Sequence, residues 1–417
     1  MTVWGQEKQP VDPAFISRYF KEIKKATEQG FGIWNRDLYG NILLVDPATR
    51  QLYSNNPDLN NVLKPTHDIY QGRLPDDINI ANTSVQWGGK VWAMIMLPLP
   101  DDKYERVNLS VHELFHTAQA SLGFVQNNKE SNHLDQKEGR IFLRLELEAL
   151  KKAILAATSN EQKKHLSNAL MFRKHRNVLF PGSDDIENQL ELNEGIAEYT
   201  GFAMSGRTKE QAKLHFVSNL ETFIENPTYV RSFAYTTTPI YGYFASFKNK
   251  NWNQEISAKT NLTDFFIEKL NIKIPDDIKS IPEKVIEEYN GLSIIAQEKL
   301  RDQKIQAKIA EYKARFIEKP HFEITFEKMN ISFDPRNILS LEDKGTVYPN
   351  VRVTDNWGIL EVSKAALICP DWSRISIGIP EKINGSTIKG DGWILKLKEN
   401  YKVSKDEKDL NYILIKQ

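Results

Sequence analysis

Only one cysteine, Cys369, stands in the chain, so no intrachain disulfide can form. Its apolar setting, AALICP, reads as a buried structural thiol rather than a nucleophile. No run of about 18 or more apolar residues occurs, so no membrane-spanning helix is expected. Net charge is lacking as well: 55 Lys and Arg balance 55 Asp and Glu, and no excess of either sign points to nucleic acid. Internal repeats and low-complexity tracts are absent. What remains is a composition of 40% hydrophobic and 26% charged residues, that of a globular protein rather than a disordered or fibrous one. A length of 417 residues exceeds one ordinary core and predicts two or three domains.

The opening MTVWGQ reads either as a flexible terminus or as the end of a secretory signal, with small Gly5 before polar Gln6. Export, periplasmic or secreted, is weighed slightly above a cytoplasmic location. Residues 13–29 carry an apolar stripe at Phe15, Ile16, Tyr19, Phe20 and Ile23, a helix that Gly30 and Gly32 stop. The stretch 41–55 reads as a β-hairpin around Asp46-Pro47, and KVWAMIMLPL (90–99) as a further strand. An N-terminal sheet of about four strands over 13–105 is therefore expected, with 90–97 at its edge. From 106 to 318 helical patterns dominate, including an excursion of two helices at 122–190. After Lys319-Pro320, short β-like runs broken by Gly, Pro, Asn and Asp predict a separate small β domain over 319–417.

The chemistry is concentrated in HELFH. His112 and His116, four apart on a helix, share one face and can offer two imidazole nitrogens to one metal ion. Glu113 is turned about 100° from His112, beside such an ion, where its carboxylate can take a proton from metal-bound water. The segment is free of Gly and Pro, and Asn108 or Ser110 is expected to cap it. The pattern also arises by chance, so a third ligand is needed. LELNEGIAEYTG (190–201) supplies two carboxylates four apart, Glu194 and Glu198, one for a metal and one for the far nitrogen of a ligand histidine. Glu138 and Glu146 are rival third ligands, against which stands the plainer reading of a salt-bridged helix face. His67, His133, His165, His175, His215 and His321 are isolated and read as surface or packing residues.

HELFH together with LNEGIAEY resembles the gluzincin metallopeptidases, the thermolysin-like and aminopeptidase group, over roughly residues 90–260. Over most of its length the chain is also similar to uncharacterised bacterial proteins of the peptidase MA-like kind. The resemblance implies a single zinc ion on His112, His116 and Glu194, with Glu198 supporting a histidine. It further implies a tyrosine for the oxyanion within a Tyr-x-x-Gly pattern. Tyr235 is the first choice, with Thr238 standing where the glycine would be, and Tyr241 the second. Two departures are visible. Here 77 residues lie between His116 and Glu194, far more than is typical. The Gly-Ala-Met-Glu-Asn segment that captures a substrate amino terminus in the aminopeptidases is missing, so exopeptidase action is not implied.

The fold expected is α+β: a zincin-like metallopeptidase core of N-terminal mixed sheet and helical subdomain, followed by a small C-terminal β domain. The function expected is zinc-dependent cleavage of peptide bonds in a peptide or protein substrate, with Glu113 as base and Tyr235 as oxyanion donor. Two alternatives stand beside it: a non-catalytic binding protein that keeps the fold, and a zinc hydrolase of a non-peptide amide or ester. Nothing in the sequence sets the oligomeric state.

Overall fold

The computed structural model describes residues 12–124, 131–275, 278–334, 338–406 and 410–416, so the reading of MTVWGQ lies outside the described residues. The chain is α+β and divides into two compact units. The first takes in Met1–Asn127, Glu191–Ala212 and Thr238–Leu262; the second takes in Asn128–Leu190, Lys213–Thr237 and Thr263–Gln417. These are not the boundaries that local pattern suggests. The HELFH helix belongs with the N-terminal sheet, and residues after 318 share a unit with helices that precede them.

In the first unit, six strands are ordered β3-β4-β2-β1-β6-β5: β1 (Ile42–Val45), β2 (Gln51–Ser54), β3 (Lys64–Thr66), β4 (Ile69–Arg73), β5 (Thr83–Trp87) and β6 (Lys90–Met96). The β1–β2 hairpin forms as expected, its turn fixed by the Asp46 carboxylate accepting from Ala48 N at 2.8 Å. Because strand side chains alternate, the apolar run of β1 serves two cores. Ile42 and Leu44 join Ile16, Phe20, Ile23, Ile95 and Leu114 on the helical face, while Leu43 and Val45 join Leu52, Trp92 and Met94 on the other. Contrary to the expectation, β6 is not an edge strand. It runs parallel to β1 on one side, and β5 pairs with it antiparallel on the other. The cause is Gly88-Gly89, whose φ values of 55° and 78° make the tight two-residue turn that folds Thr83–Trp87 back onto it. The edge is β5.

In the second unit, the expected excursion holds two long helices, Lys137–Leu155 and Ser159–Leu179, plus a short third, Ser183–Leu190. Thr158 and Glu161 form a reciprocal capping box that starts the middle one. An ionic cluster is buried among the apolar side chains of these helices. Glu146, fully buried, accepts from Arg173 and Arg176 at 2.8 Å each, and Glu187 accepts from Arg176 at 2.6 Å and faces His133 Nε2 at 2.6 Å. The long charged helix expected beyond Pro282 is interrupted at Asn290 (φ 59°), giving Glu283–Glu288 and Gly291–Lys313. The C-terminal strands form a seven-stranded and a six-stranded sheet that share one core, with Phe322, Ile324, Ile375 and Ile377 from one and Val353, Leu360, Trp393 and Leu395 from the other. Val230, from the helical part, completes the same core, so the β region is not separate. Cys369 is only half-buried, its Sγ 2.8 Å from Asp371 Oδ1, because it stands where a strand gives way to a turn.

The ionic core gives a pH dependence. Burial opposes ionisation of Glu187, but the charge and hydrogen bonds of Arg176 and His133 outweigh it and hold the carboxyl far below its ordinary range. A depressed folded-state pKa adds stability above the unfolded value of 4.5, and that stability is lost as pH falls below it. Urea unfolding between about pH 5 and about pH 3 should therefore show a steeper loss for the wild type than for Glu187→Gln. Parallel losses would rule Glu187 out as a contributor.

Candidate metal centre

The HELFH segment lies in a helix of 16 residues, Lys103–Ala118. It begins earlier than expected, because Asp102 caps it, accepting from Tyr104 N at 2.8 Å and Glu105 N at 2.9 Å. Asn108 and Ser110 are thus not caps but buried mid-helix residues. The helix packs on β6 and β5 and against Ile196–Met204, the helix that returns to this unit. Contact with the return helix is at backbone range: a Cβ placed on Gly201 would meet the Asn108 carbonyl oxygen at 2.3 Å. Trp34 locks the pair, its Nε1 donating to Thr200 at 3.0 Å while its ring lies against Phe115, 5.3 Å between centroids.

That approach brings together three of the residues singled out in the sequence. His112 Nε2 and His116 Nε2 are 3.0 Å apart, and Glu194 Oε2 is 3.4 Å from the first and 3.2 Å from the second. A tetrahedral ion held at about 2.0–2.1 Å sets its donors about 3.3 Å from one another. The triangle fits that requirement on all three sides. Glu194 is delivered by a π-helical turn, Glu191–Gly195, an irregularity common where a helix carries function. Thr238 fixes the turn by donating to Glu191 at 3.0 Å and by filling the space where Gly195 has no side chain.

The surroundings favour positive charge. His112 Nδ1 faces Glu198 Oε2 at 2.9 Å; a carboxylate only accepts, so Nδ1 carries a hydrogen and Nε2 is the nitrogen that would offer its lone pair to an ion. Asn108 Nδ2 steadies Glu198 through Oε1 at 2.7 Å. Burial works against a charged His112, yet hydrogen bonds with Glu194 and Glu198 and the charge of Glu113 raise its pKa well above the ordinary value. Glu194 is half-buried; burial works against its charge, but hydrogen bonds with His112 and His116 hold it well below the carboxylate range. Glu113 behaves differently. Burial raises its pKa against the pull of both histidines, and its Oε2 is buried with no hydrogen-bond partner. An orphaned carboxylate oxygen beside a donor triangle is suited to receive a proton from a molecule that enters.

The other candidates have surroundings of their own. Tyr235 is in the first turn of helix Ala234–Ser246 and is partly exposed. Tyr241 is completely buried. Glu146 is committed to Arg173 and Arg176, and Glu138 pairs with Lys137 at 2.9 Å, so neither is a ligand. His133 and His165 have packing partners in Glu187 and Tyr289. Three residues of the site were given no role in it from sequence: Asn108, Gln119 and Asn193. Gln119 Oε1 lies 2.8 Å from His116 Nδ1, and Asn193 Nδ2 donates to Glu194 Oε1 at 3.0 Å. The only signal of them is position, an Asn before the ligand Glu and a Gln three residues after the second His.

Compared with protein-family models, with curated proteins and with solved structures, the chain matches none.

The contact at Gly201 makes a prediction of sign. In an open helix alanine is more stable than glycine by about 1 kcal/mol. Here the added methyl meets backbone, so Gly201→Ala should instead lower the unfolding free energy by about 1–3 kcal/mol in urea. Gly32→Ala, with nothing within 4 Å of the added carbon, should show no loss. Equal stability of the two variants would refute the close approach.

Proposed function

We propose that this chain is a zinc-dependent hydrolase with a zincin-like core, acting as a metallopeptidase on peptide or protein substrates. The observation that carries the reading is the donor triangle of His112, His116 and Glu194 with the orphaned oxygen of Glu113 beside it. Two histidines and one carboxylate are a common catalytic zinc set, in which one coordination position stays open. Zinc, when bound there, would polarise a carbonyl and acidify water. The protein's own part follows from its side chains. Glu198 and Asn108 orient His112 so that Nε2 is the nitrogen a metal ion would meet. Glu113, its pKa raised by burial, accepts the proton of the attacking water and returns it to the leaving amine. An extended substrate would add to the sheet at β5, which has no outer neighbour strand among the described residues and packs against the HELFH helix.

Metal analysis joined to a peptide-library cleavage assay tests the reading. The wild type should hold about one zinc per chain and cleave. Glu113→Ala should keep the metal and lose rate by about 10²–10⁴-fold. Glu194→Ala should lose zinc affinity. A chain that binds zinc and cleaves nothing points to a binding protein instead, and unchanged affinity in Glu194→Ala would remove Glu194 from the ligand set.

A further inference from the structure

Gln119 follows the HELFH helix in a short 3-10 turn, is 1% exposed, and hydrogen-bonds both His116 and Asn193, the neighbour of Glu194. We infer that Gln119 is a positioning residue that fixes the lone pairs of two ligands at once, His116 and Glu194. The inference rests on the metal reading above and assigns a role that the motif pattern does not contain.

Its orientation is determined by one group that can act in only one way. The backbone carbonyl of Asn193 can only accept, and Gln119 Nε2 lies 3.2 Å from it. The NH2 group of Gln119 is thereby turned toward Asn193, and its carbonyl oxygen toward His116 Nδ1, 2.8 Å away. An amide oxygen only accepts, so Nδ1 of His116 carries a hydrogen and Nε2 is the nitrogen left to offer a lone pair to an ion. The same NH2 group donates to Asn193 Oδ1 at 2.9 Å. With its oxygen engaged, the Asn193 side chain must present its own NH2 to Glu194 Oε1, 3.0 Å away. That leaves Glu194 Oε2 as the atom facing both histidines, at 3.2 Å and 3.4 Å. One buried amide thus sets the polarity of a chain that crosses from the end of the HELFH helix to the π-helical turn.

The two histidines are therefore held by different chemistries. His112 has the carboxylate of Glu198 and His116 has a neutral amide. Glu113, Glu194 and Glu198 already place three carboxylates around the triangle. A fourth at position 119 would face the carbonyl oxygens of Asn193 and break the chain it anchors. Glutamine is the side chain that accepts from the ring and donates twice to Asn193.

The test is zinc affinity of the full-length apo chain, read by competition with a chromogenic chelator, with urea unfolding run in parallel so that only folded protein is compared. Loss of such outer partners typically weakens metal binding by about 10–100-fold. Gln119→Ala and Asn193→Ala should each show a loss of that order and should alter the visible bands of the cobalt-substituted protein. Because both break one chain, the double variant should lose less than the product of the two. Wild-type affinity and an unchanged cobalt spectrum in Gln119→Ala would overturn the inference, as would fully multiplicative losses in the double variant. If Gln119→Ala does not fold, wild-type affinity in Asn193→Ala overturns it equally. A wild type that takes up no zinc overturns the metal reading itself; zinc uptake indifferent to both residues overturns only the role of Gln119.

Discussion

The site depends on how closely two helix backbones lie. Gly201 on the return helix meets the Asn108 carbonyl at a distance no side chain can occupy, and this contact sets where everything after His116 can reach. With the axes that close, Glu198 spans to His112 and Asn108, and Glu194, one turn earlier, spans to both Nε2 atoms. Trp34 tightens the same seam from the side, tied to Thr200 and packed on Phe115. Separation by one more side-chain radius would leave each carboxylate short of its histidine.

Electrostatics sets what such a tight arrangement can hold. Carboxylates and imidazoles brought out of water repel or desolvate unless positive charge is shared among them. The protein meets that demand differently in its two units. In the second, Glu146 and Glu187 are answered by Arg173, Arg176 and His133, and the charges are fully matched within the chain. In the first, Glu198 and Gln119 each accept from the Nδ1 of one histidine and leave its Nε2 facing the triangle. Matched charges hold a fold; converging lone pairs invite a cation.

The sequence carried much of this and concealed the rest for identifiable reasons. His112 and His116 were legible because four-residue spacing on a helix is local geometry. Glu194 and Glu198 were legible through their resemblance to a known pattern, even though 77 residues intervene. Gln119 was not, since its partner Asn193 is far along the chain and a lone glutamine after a motif has no periodicity to betray it. Glu146 looked eligible as a ligand until two buried arginines were found beside it, a pairing that only tertiary packing reveals. The edge strand was misplaced although Gly88-Gly89 stood in plain view, because TSVQW is too polar and too short to read as a strand by alternation. Unit boundaries were the least legible feature, since the chain returns twice to the first unit through segments whose local pattern is simply helical.

The central claim is that a metal ion belongs between His112, His116 and Glu194. Anomalous diffraction at the zinc edge, on crystals of the full chain grown with zinc, tests it most directly. The account predicts one strong peak within bonding distance of the two Nε2 atoms and Glu194 Oε2. A peak coordinated elsewhere, or none at this triangle with the metal present, would contradict it.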